Sequence, residues 1–171
     1  SKGAGEDLAH QADGLAVSSV RPSVIFGRGD SFFNRFASLL ELAPGVFPLA
    51  CPEARFAPVW VGDVCVAIQR LLDDPQTVGG RYDLCGPRVF TLEELVAQTA
   101  AWIGRRRLLL ALNDRASQWQ AKLFERLPGK PFTMDNYLSL QTPSICGGQN
   151  GLLELGLHPR DIESVVPAYL R

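Results

Sequence analysis

The change of hydrophobic pattern at Gly14 constrains this chain more than any other feature. Glu6 to Asp13 carry a helical pattern, and Gly14 suits the left-handed position just past a helix end. Leu15 to Val20 then run apolar on both sides as far as Arg21-Pro22. A helix that passes almost without a loop into a doubly apolar strand is the habit of proteins with a parallel sheet covered on both faces. Ser1 to Glu6 read as the interior of a helix, so the chain is expected to be the later part of a larger fold.

The following segments fit an α/β protein. Val24-Ile25-Phe26 continues extended, Gly27-Arg28-Gly29-Asp30 is a turn, and Asp30 or Ser31 is placed to cap a helix through Phe32, Phe33, Phe36, Leu39 and Leu40. Proline-rich Pro44 to Pro58 suits an excursion from the sheet. The chain returns at Val59-Trp60-Val61, and Asp63 is read as the cap of a helix whose Val64, Ala67, Ile68, Leu71 and Leu72 share a stripe. Arg81 to Cys85 forms a further strand closed by Gly86-Pro87. Thr91 and Glu94 then spell a capping box for a helix that Gly104 stops. A short apolar strand, Leu108 to Leu112, leads to a helix from about Asp114 to Leu127. Its Trp119, Leu123 and Phe124, beside Lys122 and Arg126, are read first as a core stripe, with a partner-facing or membrane-facing surface as the alternative. Short helices are expected near Asp135 to Leu140 and Asp161 to Val166.

Composition narrows the function classes. At 171 residues with 46% hydrophobic side chains the chain can fill a real core. Its 17 basic and 18 acidic residues leave a net charge of -1, which gives no general footprint for nucleic acid or an anionic membrane. Cys51, Cys65, Cys85 and Cys146 form no paired motif, so neither zinc nor a disulfide framework is signalled. Reduced thiols in a cytoplasmic setting are expected. The apolar stretch around Phe36 to Cys51 is interrupted by Glu41 and Pro44-Gly45, short of the roughly 20 residues of a spanning helix. His10 and His158 have no catalytic partner pattern, and no hydrolase triad is recognisable.

Several passages occur in a characteristic order: Ser-Lys-Gly-Ala-Gly-Glu at the start, Ser-Ser-Val-Arg-Pro-Ser-Val-Ile-Phe-Gly-Arg-Gly-Asp from Ser18, Phe-Ala-Pro-Val-Trp-Val-Gly-Asp-Val from Phe56, and Arg-Tyr-Asp-Leu-Cys-Gly-Pro from Arg81 ahead of Thr-Leu-Glu-Glu-Leu. In this order the chain resembles the second half of an extended or atypical short-chain dehydrogenase/reductase of the NAD-dependent epimerase/dehydratase type. Within that superfamily it is most similar to the group containing the nucleotide-binding accessory subunit of respiratory complex I and its bacterial relatives. Phe33-Asn34-Arg35-Phe36, Arg55 to Val59, Leu127-Pro128-Gly129 through Asp135-Asn136, and Leu155-Gly156 through Pro167 carry that narrower likeness.

The resemblance implies an α/β fold: the C-terminal part of a Rossmann-type parallel sheet plus a smaller, mainly helical substrate-binding lobe. Residues 1–30 and 59–87 are expected to form the sheet remnant and 31–58 and 88–171 the lobe, with the dinucleotide-binding half absent. Lys2 matches the lysine of the family's Tyr-x-x-x-Lys pair, whose tyrosine falls upstream of Ser1. In the family that ammonium holds the nicotinamide ribose and lowers the tyrosine pKa, so Lys2 is the catalytic and cofactor-contacting candidate. Pro22, Ser23 and Val24 match the segment that passes the nicotinamide and meets it largely through backbone. Where many sugar-nucleotide enzymes of the superfamily place an asparagine, this chain has Val24, which cannot make that hydrogen bond. Arg28, Asn34 and Arg55 are implied near the substrate cleft.

The glycine-rich turn that cradles a pyrophosphate is missing: Gly79-Gly80 precedes a strand and Gly147-Gly148 sits in a loop. NAD or NADP is therefore expected in the full-length parent, with no tight binding by these residues alone. The implied function is the substrate-side portion of such a reductase-like protein, related to complex I or quinone metabolism. A non-catalytic accessory or assembly subunit and a sugar-nucleotide epimerase or dehydratase are the alternatives. Expected partners are an unidentified small molecule and a second copy or a respiratory complex, with no nucleic acid and no transmembrane segment. The expected location is cytoplasmic, extended by the respiratory likeness to a peripheral position at the inner membrane.

Overall fold

A computed structural model describes residues 2–126 and 132–170. Helix α1, Lys2–Gln11, ends short of Gly14, whose φ of 79° is the left-handed conformation a β-carbon disfavours. Strand β1 is Ser19–Pro22, four residues later than the apolar run suggests. Leu15 is 65% exposed, and residues 17–18 bond the turn near Thr77 instead: Gly79 N–H donates to Val17 O, and Ser18 Oγ–H to Thr77 O. Strand β2, Ile25–Phe26, follows, and α2, Phe33–Leu42, begins after the turn.

The excursion that follows contains β3, Val46–Leu49, and β4, Arg55–Phe56. Strand β5, Val59–Trp60, runs directly into α3, Val61–Asp73. Next come β6, Arg81–Leu84, the short β7, Phe90–Thr91, and α4, Leu92–Trp102, which carries the expected capping box in full. Strand β8, Leu108–Ala111, feeds α5, Asp114–Phe124. Helices α6, Met134–Leu140, α7, Gly151–Glu154, and α8, Ile162–Val165, complete the order.

Three of the four strand pairs are parallel. β1 lies on β6, with Val20 opposite Tyr82; β2 lies on β5; and β3 lies on β8, with Val46 opposite Leu108 and Pro48 opposite Leu110. β4 and β7 are antiparallel. From 19 to 26 the chain therefore changes neighbour, and Ser23 N–H to Leu84 O and Val59 N–H to Val24 O bridge the step. Among the described residues β1 is paired on one side only.

Two buried clusters support this frame. Around Val59, Val64, Ala67 and Leu84 the sheet packs on α3, and Leu152 of α7 completes the contact. The larger cluster joins Phe26, Phe33 and Leu40 to Leu92, Leu95 and Val96 of α4. Fully buried Phe33 meets Phe26 and Trp102 with ring centroids 5.9 Å away in each case, the edge-on geometry aromatic quadrupoles favour.

Two sequence expectations are corrected here. Cys85 and Cys146 form a disulfide across 61 residues of sequence, with Cα atoms 6.0 Å apart; only Cys51 and Cys65 are free. The spacing gave no sign of it because tertiary structure, not a local motif, brings β6 beside the 141–150 loop. Asp63 does not cap α3. Its carboxylate accepts the Arg160 N–H at 2.7 Å and ties the C-terminal segment to the helix, while the Arg160 guanidinium lies 4.4 Å from the Trp60 ring centroid.

Candidate functional site

In open α/β sheets ligands gather beyond the carboxyl ends of the strands. Here that edge is Pro22-Ser23-Val24, leaving β1. Pro22 offers a carbonyl and no donor. The Ser23 side chain is committed to structure: Oγ–H donates to Ser144 O at 2.5 Å, and Oγ accepts the Ala57 N–H at 3.3 Å. Ala57 N–H also donates to Ser144 O, and Ser144 N–H to Arg55 O, so Ser23 binds the C-terminal loop to the sheet. Val24 packs against the larger core.

Beyond Val24 an open cleft of about 470 Å³ is walled by Ile25, Gly27, Arg28, Asp30, Phe32 and Val61. Arg28 stands exposed on its rim. Asn34 lies behind the cleft in the first turn of α2, where its side-chain amide donates to Asp30 O. Arg55 belongs elsewhere. It lines a separate recess of about 410 Å³ with Cys51, Asn113, Ser117 and Gln141. The fold thus gathers Val24, Arg28 and the start of α2, and leaves Arg55 out. Lys2 opens α1, but its side chain lies outside the described residues, as do Leu127-Pro128-Gly129.

Asp30 and Tyr169 are the pair that sequence reasoning missed. The Asp30 carboxylate accepts N–H groups from Phe32 at 2.8 Å and Phe33 at 2.6 Å, and the Tyr169 hydroxyl at 2.5 Å. The capping half was legible; the tyrosine stands 139 residues away and was not. Burial, and then the carboxylate beside it, push the Tyr169 phenol well above its ordinary range.

Asp30 also decides what the turn can hold. Between β2 and α2 the order strand, Gly27-Arg28-Gly29, helix is the setting in which backbone amides commonly meet a phosphate. Here the Asp30 carboxylate already takes those amides, and an anion beside it meets like charge. A pyrophosphate therefore does not fit this turn.

Cys51 sits at a φ of 49° in the second recess, with its N–H on Ser117 Oγ. Burial raises its thiol pKa, which disfavours the nucleophilic thiolate. Nearby, Tyr137 donates its hydroxyl to Asp114 and accepts from Gln118. His10 bonds Ser19 Oγ at 2.8 Å.

Against solved structures the chain superposes on the dTDP-glucose 4,6-dehydratase DesIV from Streptomyces venezuelae, with NAD and TYD bound (TM-score 0.64, 18% identity, 97% of this chain and 46% of that one). It also superposes on the NADPH-dependent quinone oxidoreductase QOR2 from Escherichia coli, complexed with NADPH (TM-score 0.61, 18% identity, 84% and 51%). These likenesses define a Rossmann-type fold of the kind found in epimerases, dehydratases and short-chain dehydrogenase/reductases. No family model matches the chain. In sequence it is 31% identical over 150 residues to the mitochondrial NADH dehydrogenase [ubiquinone] 1 alpha subcomplex subunit 9 of Mus musculus, covering 84% of this chain and 39% of the relative. The chain is a relative of the extended, atypical short-chain dehydrogenase/reductases, on the side of this complex I subunit. It spans about two fifths of the length of the mouse and rat relatives.

Proposed function

We propose that this chain is the cleft-side portion of an NAD(P)-binding protein that works as an accessory of a respiratory or quinone-linked complex. In this role it meets the nicotinamide end of a nucleotide whose phosphates are held by a dinucleotide-binding half. The carrying observation is the chemistry at the end of β1: Ser23 is spent on Ser144 and Ala57, and Val24 is turned to the core. Neither Ser23 nor Val24 leaves a free polar side chain at that edge to hold a sugar. The complex I relative supports the accessory role, and the NADPH-bound quinone oxidoreductase among similar folds supports the nucleotide and the quinone link. Lys2 is the residue proposed to grip the ribose, with Arg28 on the rim of the opening.

The test uses the polypeptide in which this chain follows a dinucleotide-binding half. It is expected to retain NADPH or NADH at micromolar affinity, to lose affinity when Lys2 becomes Ala, and to leave nucleotide sugars unchanged. Turnover of a nucleotide sugar overturns the proposal in favour of an epimerase or dehydratase. Failure to bind either nucleotide removes its basis.

A further inference from the structure

The whole-chain charge balance conceals a local segregation. Between Leu95 and Arg126 fall six basic residues, Arg105, Arg106, Arg107, Arg115, Lys122 and Arg126, and only two acidic ones, Asp114 and Glu125, in a chain whose net charge is -1. This basic stretch coincides with apolar side chains that the fold leaves in water. On the β3/β8 pair, Leu109 faces the core while Leu108 (67% exposed) and Leu110 (51%) face out, and the register sets the exposed Val46 and Pro48 beside them. Arg105 and Arg106 immediately precede this face and are exposed.

Strand β8 passes through Leu112-Asn113 into α5, which Gln120 fastens to Pro48 O of β3. On α5, Arg115, Trp119 and Lys122 stand at i, i+4 and i+7, one stripe of the helix, with Leu123 beside it, and exposed Arg126 follows just past the helix end. Trp119 is 70% exposed, which corrects the expectation of a core stripe. The acidic groups here are fewer than the basic ones: Asp114, which accepts the Tyr137 hydroxyl, and the exposed Glu41 and Glu125.

We infer that this surface docks on an anionic phospholipid leaflet. Charge complementarity selects that occupant: leucines and a tryptophan enter the interface, while arginine and lysine heads remain at phosphate level with their stems alongside. A second copy would bring the same positive charge to this face, and an acidic protein partner is distinguished by the vesicle test below. The inference is independent of nucleotide binding.

The test is co-sedimentation of the chain with phosphatidylcholine vesicles, with and without phosphatidylglycerol. Binding at least about tenfold stronger on the anionic vesicles, weakening as salt rises, is expected. The paired changes Arg105→Glu/Arg106→Glu and Leu108→Ser/Leu110→Ser should each lower partitioning by about tenfold or more. Circular dichroism and thermal unfolding should stay unaltered because these side chains are exposed, and Trp119→Phe should remove the blue shift of tryptophan emission on vesicles. Equal binding to neutral vesicles, absence of binding to either kind, or self-association abolished by Leu108→Ser/Leu110→Ser overturns the inference.

Discussion

Asp30 shows how much architecture one carboxylate can organise. It starts α2, closes the turn after β2 and receives the Tyr169 hydroxyl from the far end of the chain. Replacing Tyr169 by Phe removes a hydrogen bond to a charged acceptor, so urea unfolding near neutral pH should show a loss of about 1–3 kcal/mol. The pH dependence has a definite sign. Folding raises the Tyr169 pKa, so the contribution is complete below the unfolded phenol's value of about 10 and is lost as pH climbs through the folded value. The urea midpoint should begin to fall as pH rises past about 10, and Tyr169→Phe should flatten the fall; an unchanged alkaline profile counts against the assignment. Gly86 is a second single-residue constraint. A β-carbon there meets Pro58 O at 1.9 Å, backbone that cannot swing aside, so Gly86→Ala should cost about 1–3 kcal/mol in the same assay. Gly86-Pro87 was legible as a strand end, but the close approach of 57–58 was not, because nothing local encodes it.

At the scale of elements, local chemistry was readable wherever the partners are neighbours in sequence. The Thr91/Glu94 capping box, the left-handed glycines at 14 and 104, and helix α3 itself follow from patterns within a few residues; of the stripe expected on α3, Val64 and Ala67 are buried while Ile68 and Leu72 stay exposed. Asp63, the Cys85–Cys146 bond and the water-facing Trp119 did not, since each depends on what a distant segment does. The disulfide ties β6 to the loop carrying Ser144, which Ser23 also holds. Its loss in Cys146→Ser, or on reduction, should lower stability by about 2–4 kcal/mol in urea unfolding with and without dithiothreitol. A redox-insensitive midpoint contradicts the bond. Arg88 grips Asp161 bidentately and reaches Glu163, holding the Asp161 carboxyl below its usual pKa, yet half-exposed ion pairs of this sort add little to stability.

At the scale of the molecule, the order of motifs revealed a Rossmann-type relationship that fold and sequence comparisons bear out. The candidate site was legible in part: Val24 and Arg28 meet at one cleft, and Arg55 belongs to another. Where Arg55 falls depends on how β4 crosses β7, a pairing that two-residue strands barely announce. Phosphate binding turns on Asp30, whose carboxylate fills the amides at the start of α2. Titrating this chain alone with NADPH, followed by nicotinamide fluorescence, is therefore decisive. No saturable binding at micromolar nucleotide is the predicted result; a saturable micromolar isotherm would contradict the assignment of a cleft wall without a phosphate cradle.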